Sequence, residues 1–295
     1  MNFTTENIDV FLKILDTGSF SAAARALNRV PSAVSMNIAN IEAELGIDLF
    51  IRTPRKVIPT AEALALAPQA RIISEQLKQL NKHAYEMSLG LESTLKLGIA
   101  SDVNHQKMLC AIQQLSLKYP LLNIEIITAP QDDLFKLLYS EKIALCLSSA
   151  PIRINIEEHL QLVTTETIVA TISPKHVLIK DILKKDINIE DLINIRQIVV
   201  ASSELEISDV RPVVAASYWK TNDINTAINM VETGLGWGNF PLSLVQPLIK
   251  SGRLIQLNFQ NTQNHLPTAI YLIGLKRKAL SKASRELIDL LTSFP

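Results

Sequence analysis

Cysteine and net charge are the two things this chain has least of. It carries only Cys110 and Cys146, and its 29 Lys and Arg residues balance 29 Asp and Glu residues. Two cysteines in aliphatic surroundings exclude a disulfide-rich scaffold and a zinc site. A redox switch would need exposed thiols of low pKa, so we expect both cysteines to be structural. A neutral chain can bind nucleic acid only through a local basic patch.

Apolar runs of membrane-spanning length are also missing, and the N-terminal stretch carries Glu6 and Asp9 where a secretory signal would carry basic residues. We therefore expect a protein of the reducing cytoplasm. The five histidines show no metal-ligand spacing, and there is no glycine-rich phosphate loop and no adjacent nucleophile and base. We expect no metal, no cofactor and no enzymatic activity. At 295 residues, two or three folding units are expected.

Residues 5–59 have the pattern of three helices followed by a hairpin. Gly18 ends a first amphipathic helix, and Ser19 can cap a short alanine-rich second helix. Pro31 suits the first position of a third helix, and Gly46 suits its end. A buried stripe is predicted at Val34, Ile38, Ile41 and Leu45. The segment "IDLFIRTPRKVIPT" then alternates and turns as a β-hairpin does. This order predicts a winged helix-turn-helix, whose third helix would enter the major groove.

With that stripe inward, the groove-facing side chains of the third helix are Ser32, Ser35, Met36 and Ala39, with Asn37 and Asn40 beside them. Small hydroxyl and amide groups let the backbone approach DNA and can bond to phosphates or base edges. Residues 1–60 include six basic and six acidic residues, so only the positions of the basic residues can indicate a DNA-binding patch. Arg25 and Arg29 flank the start of the third helix, and no acidic residue accompanies Arg52, Arg55 and Lys56 in the hairpin. Phosphate contacts are expected from these two clusters.

A long helix is predicted from Thr60 to about Leu91. Its apolar residues repeat at alternating spacings of three and four, at Ala70, Ile73, Leu77, Leu80, Ala84, Met87 and Leu91. This is the heptad seam of a coiled coil, which favours pairing with another chain over a lone surface helix.

Beyond residue 92, short aliphatic runs such as "TLKLGIA" (94–100) and "NIEIITA" (123–129) alternate with helical segments. The alternation predicts parallel strands buried on both faces, in two α/β lobes joined by crossing connections. Lobe 1 would comprise about 92–162 and 267–295, and lobe 2 about 163–266.

A small molecule would lie between the lobes, beyond the carboxyl ends of the strands. The residues expected there are Ser101, Asp102, Ser148, Ser149, Ser202, Ser203 and Thr221. Each hydroxyl could instead be a plain helix cap. The side chains of Trp237, Phe240 and His105 could line an apolar part of the same cleft, although aromatic residues beside glycine commonly serve packing.

The sequence resembles the LysR-type transcriptional regulators. The resemblance is specific over "FLKILDTGSFSAAARALNRVPSAVSMNIANIEAELGIDLFIRTPRKVIPT" and continues through "TGLGWGNFP" and "SGRLIQL". It implies an α/β fold with an all-α winged helix-turn-helix (1–59), a dimerising linker helix (60–91) and a two-lobed, periplasmic-binding-protein-like effector domain (92–295). It also implies these partners: promoter DNA, a small-molecule effector, a homodimer through the linker helix that pairs into a dimer of dimers, and RNA polymerase.

Two residues of the third helix depart from the family pattern. Many members have Gln where Pro31 stands and Arg or another polar residue where Met36 stands, while a subset resembles "VPSAV". Pro31 is therefore interpreted as a subgroup feature. Met36 could contact a thymine methyl group or leave readout to Ser35, Asn37 and DNA shape. The family's DNA contacts carry over to Ser32, Ser35, Arg52 and Arg29.

Asp102 bears on the class of effector. A negative side chain in the first turn of a helix would oppose a carboxylate there, which favours a neutral, aromatic or cationic effector. Alternatively, Asp102 caps its helix and turns away from the cleft. A different function, that of a stand-alone small-molecule binding or carrier protein, fits the two lobes but not the basic hairpin or the missing export signal.

Overall fold

The computed structural model describes residues 3–53, 56–150, 155–179, 187–204, 213–277 and 279–293. The chain forms two compact units, Met1–Glu86 and Met87–Pro295. In the described residues no helix is both long and apolar enough to cross a membrane.

The first unit opens with three helices, α1 (Thr5–Thr17), α2 (Phe20–Ala26) and α3 (Pro31–Leu45). The hydroxyl of Ser19 accepts the N–H of Ala22 at 3.3 Å and so caps α2. Gly18 and Gly46 end α1 and α3 in the left-handed conformation, which glycine adopts without steric cost. The helix boundaries predicted from these residues and from Pro31 are therefore confirmed.

The hairpin follows as β1 (Phe50–Arg52) and β2 (Val57–Pro59), paired antiparallel. The predicted stripe of α3 is buried at Val34, Ile38 and Ile41, with Leu45 packed against the same core. The ring of Phe11 lies 5.8 Å from that of Phe50, which ties α1 to β1. The unit therefore has one apolar core, from which the outer face of α3 is excluded.

The long helix α4 spans Ala61–Ser88, and Ala63 donates its N–H to the hydroxyl of Thr60 at 3.2 Å. The prediction that Leu91 completes its seam is wrong. Gly90 takes a left-handed conformation at φ 89°, which stops the helix, and Leu91 is buried in the core of the second unit. Ile73, Leu80 and Met87 of the seam are exposed, whereas Ala70 packs into the core of the first unit.

The second unit is built on one mixed sheet. Its strands are β3 (Thr94–Ala100), β4 (Asn123–Ala129), β5 (Leu145–Ser149), β6 (Glu158–Ile172), β7 (Gln197–Val200), β8 (Tyr218–Thr221), β9 (Trp237–Pro241), β10 (Ile255–Gln256) and β11 (Leu266–Leu275). The spatial order is β4-β3-β5-β11-β6-β9-β7-β8, with β10 beside β6. Among the described residues of this unit, the helices are α5 (Gln106–Lys118), α6 (Gln131–Tyr139), α7 (Ile224–Glu232), α8 (Leu242–Lys250) and α9 (Lys282–Ser293), and a 3-10 turn spans Ile189–Leu192.

Two long strands carry the chain between the lobes. β3, β4 and β5 run parallel in lobe 1, and β7, β8 and β9 run parallel in lobe 2, as predicted. β6 and β11 pair antiparallel with each other in the middle of the sheet, which the prediction of parallel strands missed. The chain enters lobe 2 along β6 and returns along β11, and this path requires opposite directions.

Burial differs from the prediction at two places. β4 was expected to be buried on both faces but lies at the edge of the sheet as far as the described strands show, and Ile126 in its middle is 40% exposed. Cys110 is exposed on α5, so the expectation that it is a structural core thiol is wrong. Cys146 lies inside β5, where burial raises the pKa of its thiol to about 12.

Candidate nucleic-acid interface and ligand cleft

The outer face of α3 is open to solvent. Pro31 and Ser32 in its first turn are exposed, and 65% of the Met36 side chain is accessible, a high value for a large apolar residue. The hydroxyl of Ser35 is half-buried. Since these residues lie opposite the core-facing stripe, α3 can approach a groove of DNA without unfolding any packed contact.

Arg52 joins the hairpin to the helix that would read DNA. Its Nη1 donates to the Ser35 hydroxyl at 2.8 Å, and its guanidinium lies 4.8 Å from the centre of the Phe20 ring. Its Nη2 is 3.7 Å from Glu42 Oε2, and Glu42 Oε1 accepts the backbone N–H groups of Leu49 and Phe50 at the start of β1. These contacts fix the direction of the guanidinium beside α3 while 46% of the side chain stays exposed.

The other predicted basic residues have different surroundings. Arg29 forms an ion pair with Glu6 of α1, so part of its charge is neutralised in the free protein. Lys56 is exposed, and the Thr53 side chain holds its backbone N–H at 3.0 Å and its carbonyl at 2.8 Å. Arg55 was also predicted here and lies outside the described residues. The hairpin thus presents Arg52 and Lys56 at the two ends of its turn.

The side chain of Asn37 has different surroundings from those predicted. It was expected beside the groove-facing residues, yet its Nδ2 donates to Asn7 Oδ1 of α1 at 2.7 Å, and its own Oδ1 is buried without a partner. The side chain therefore faces the neighbouring helix, because its position in α3 is one turn away from the buried Val34 and adjacent to the buried Ile38.

In the second unit the lobes touch at the end of β3. The buried hydroxyl of Ser101 donates to the carbonyl of Asn222, just before α7, at 3.1 Å. The neighbouring Asp102 is exposed, yet the protein around it raises the pKa of its carboxyl group by desolvation. Its backbone N–H bond lowers the pKa but is the weaker effect.

A second contact between the lobes involves Ser202 at the end of β7. Its hydroxyl donates to Asp133 Oδ1 in the first turn of α6 at 2.8 Å. Two residues further on, Glu204 lies 3.8 Å from the ammonium group of Lys136, both exposed. Of the predicted positions, Ser101 and Ser202 therefore form hydrogen bonds between the lobes.

The remaining predicted cleft residues are hydroxyl residues near the ends of strands and two aromatic residues of β9. Ser149 accepts a bond from Gln131 at 2.7 Å through its carbonyl, and Thr221 accepts the N–H of Asp223 at 3.3 Å. Ser203 is exposed, and the Ser148 hydroxyl is buried without a partner. Phe240 and Trp237 are fully buried in opposite cores of lobe 2, so the expectation that they line the cleft is wrong. They alternate on β9, whose two faces are both covered.

Sequence reasoning missed Asp133, Gln131 and Asn222, which supply the partners of the predicted hydroxyl residues. The signal was available for Asp133, since it follows Pro130 directly after β4, at the same edge of the sheet as the predicted residues. Asn222 contributes a backbone carbonyl, which no side-chain pattern reveals. In the described residues no group of three His, Cys, Asp or Glu side chains could hold a metal ion.

Comparison with known families matches both units. Residues 5–64 match the bacterial regulatory helix-turn-helix protein family of LysR type, and residues 89–294 match the LysR substrate binding domain. The chain belongs to the LysR family of transcriptional regulators. Its fold is accordingly an N-terminal helix-turn-helix domain followed by a two-lobed effector-binding domain.

Relatives of the whole chain are also transcriptional regulators. The chain is 32% identical over 292 residues to the HTH-type transcriptional regulator AceR of Acinetobacter baumannii, covering 98% of this chain and 96% of that protein. It is 26% identical to the multiple virulence factor regulator MvfR of Pseudomonas aeruginosa, covering 90% and 79%. LysR regulators bind DNA and small-molecule effectors, and both relatives are described as regulators.

Solved structures share the fold at low identity. Full-length LysG from Corynebacterium glutamicum superposes with a TM-score of 0.51 at 19% identity, covering 98% of this chain and 96% of that one. An OxyR mutant from the same organism superposes with a TM-score of 0.51 at 19% identity, covering 99% and 91%. Both superpositions extend over both units of this chain.

Proposed function

We propose that this LysR regulator binds promoter DNA by inserting α3 into the major groove while Arg52 and Lys56 of the hairpin contact phosphates. The observation that carries the proposal is the contact of Arg52 with Ser35. This contact holds the guanidinium group of Arg52 beside the open face of α3. Arg52 can therefore contact a phosphate of the DNA while α3 contacts the base edges. Ser32, Ser35 and Met36 are the candidates for base or groove contacts, and Arg29 would have to leave Glu6 to take part.

The effector would lie between the lobes and would contact Ser101, Asp102 and Ser202. The carboxylate of Asp133 bonds across this boundary and Asp102 directly follows Ser101, so a carboxylate ligand there would meet like charge. A neutral or cationic effector is therefore favoured, as the sequence suggested. Such a molecule would replace the hydrogen bond between Ser202 and Asp133 and would change the angle between the lobes. This change would shift the equilibrium between two arrangements of the oligomer.

Pairing of two chains through α4 would bring two reading helices to one DNA site, and pairing of the dimers would give four. The exposed seam residues Ile73, Leu80 and Met87 support this assembly, because a monomer would leave them in water. We further infer that the protein acts in the cytoplasm at the nucleoid, needs no cofactor apart from its effector, has no catalytic activity and contacts RNA polymerase at its promoters.

The test is the salt dependence of binding to DNA upstream of the protein's own gene, measured by footprinting and by anisotropy. Each lost phosphate contact lowers the slope of log affinity against log salt by about 0.9, so Arg52→Ala should lower it by about 1.8 per dimer. The control is Arg71→Ala, which also removes an exposed arginine of the first unit, one that lies on α4 and pairs with Asp16 of α1. An equal change of slope in both variants, or none in Arg52→Ala, would contradict the proposed contact.

A further inference from the structure

The outward face of α3 carries a second stripe of residues, opposite the stripe that packs into the core. Its members follow one another at spacings of four, three and four, as the buried ones do, and all are exposed; they are Ser32, Met36, Ala39 and Ala43. Three of the four have side chains of only one or two heavy atoms. Met36 therefore extends furthest from the axis of α3 and would be the first of them to reach the floor of a groove.

This surface of α3 carries no charge. The segment "PSAVSMNIANI" (31–41) contains no Lys, Arg, Asp or Glu, and the next residue, Glu42, accepts the N–H groups of Leu49 and Phe50. Arg and Lys read guanine through its O6 and N7 atoms, which is the commonest specific base contact in the major groove. The segment has no side chain for that contact.

Two polar side chains of α3 already have partners inside the first unit. The Ser35 hydroxyl accepts a hydrogen bond from Arg52, and Asn37 donates one to Asn7 of α1. Both residues are half-buried, whereas Met36 is 65% exposed. Of the three, Met36 is the one whose whole side chain can meet a base edge without breaking a bond.

The chemistry of Met36 matches one feature of the major groove. Each base pair presents hydrogen-bonding groups there, and thymine adds an apolar C5 methyl group. A thioether over an amino or carbonyl group would remove that group from water without supplying a strong hydrogen-bond partner. Against a methyl group, the same side chain buries apolar surface, and its flexible chain adjusts to the contact.

We propose that Met36 selects a T·A base pair in each half-site by packing on the C5 methyl group of thymine. The inference rests on the proposed function, because it requires α3 to lie in the major groove, and it adds which base the helix reads. The methyl group is the determinant. A 5-methylcytosine at the same position therefore offers the same contact, whereas uracil and unmodified cytosine do not.

The test removes or adds this methyl group in the DNA. In the site located by footprinting, each thymine of a half-site is replaced in turn by deoxyuridine, and the affinity of the full-length protein is measured by anisotropy. We expect at least one replacement to weaken binding about fourfold, as loss of one buried methyl group does, and about 15-fold when both half-sites are changed. At the same position, 5-methylcytosine should bind about fourfold more tightly than cytosine.

Variants of the protein assign the effect to Met36. Met36→Gln keeps the length of the side chain but makes it polar, and Met36 lies outside the core of the first unit. This variant should keep the salt dependence of DNA binding, while its affinities for the thymine and deoxyuridine sites become equal. The matched control is Asn40→Ala, which changes an exposed neighbour on α3 and should keep the fourfold loss. Arg52→Ala should weaken binding to both sites and also keep that loss.

The methyl contact and the proposed function fail in different ways. Unchanged wild-type affinity for every deoxyuridine site overturns the methyl contact, and so does a fourfold loss that persists in Met36→Gln. Either result leaves salt-dependent DNA binding, and with it the proposed function, intact. A protein that binds no DNA at any salt concentration overturns both.

Discussion

Leu80 provides the sharpest test of the assembly through α4. It is 56% exposed in the single chain, and full burial of a leucine side chain is worth about 1.5–3 kcal/mol. Covering the exposed part in both chains would contribute about 2–3 kcal/mol per dimer, and Leu80→Lys would remove it. The dissociation constant of the α4 contact should therefore rise about 30- to 150-fold.

Ile72→Lys is the control, because Ile72 is 54% exposed on the same helix but lies outside the heptad seam. Both variants introduce the same charge at an aliphatic position. Sedimentation velocity across a dilution series should give species of half the wild-type mass for Leu80→Lys, while Ile72→Lys keeps the wild-type mass. Equal dissociation in the two variants would refute the seam, and so would an unchanged mass for Leu80→Lys.

Three further outcomes are expected. Gly236→Ala should lower the free energy of unfolding by about 3 kcal/mol in urea titrations, since the added Cβ would lie 2.3 Å from the carbonyl oxygen of Arg196. Ser202→Ala should lower the free energy of unfolding by about 1 kcal/mol in the same assay, because it removes the hydrogen bond to Asp133. An unchanged free energy of unfolding would show that this bond does not stabilise the fold. Asp102 has a pKa raised above 3.8 by desolvation, so its protonation favours the folded state. Relative to Asp102→Asn, wild-type thermal stability should be highest below pH 3.8 and decline as pH rises through the raised pKa; parallel pH profiles would contradict this.

The first unit was predictable because its boundaries depend on local chemistry. Gly18, Ser19, Pro31 and Gly46 each act within one turn of chain, and each was found where the sequence indicated. Heptad spacing is also a local pattern, yet it predicted a helix that continues to Leu91, whereas α4 ends at Ser88. The pattern could not reveal that Leu91 belongs to another core, because periodicity does not distinguish a partner helix from the neighbouring domain.

The second unit and its site were predicted less well because they depend on contacts between distant segments. The edge position of β4 and the antiparallel β6 and β11 follow from sheet topology, which strand patterns alone do not encode. Cys110 shows the same limit. Of the aliphatic residues near it in sequence, Leu115 is buried but the adjacent Leu109 is itself exposed, so these neighbours did not indicate whether the thiol is internal. Phe240 was misplaced because the end of a strand can face a core as readily as a cleft.

The position of β11 sets the order in which the second unit can be completed during synthesis. β11 (Leu266–Leu275) is inserted between β5 and β6, although residues 145–172 leave the ribosome long before it. Until β11 is synthesised, the edge of β5 and the edge of β6 that will contact it have no partner. Lobe 2 must therefore fold while lobe 1 still lacks this strand. Nascent chains that lack the last strand should therefore bind chaperones through these edges, and a premature stop before residue 266 would leave no stable half of this unit.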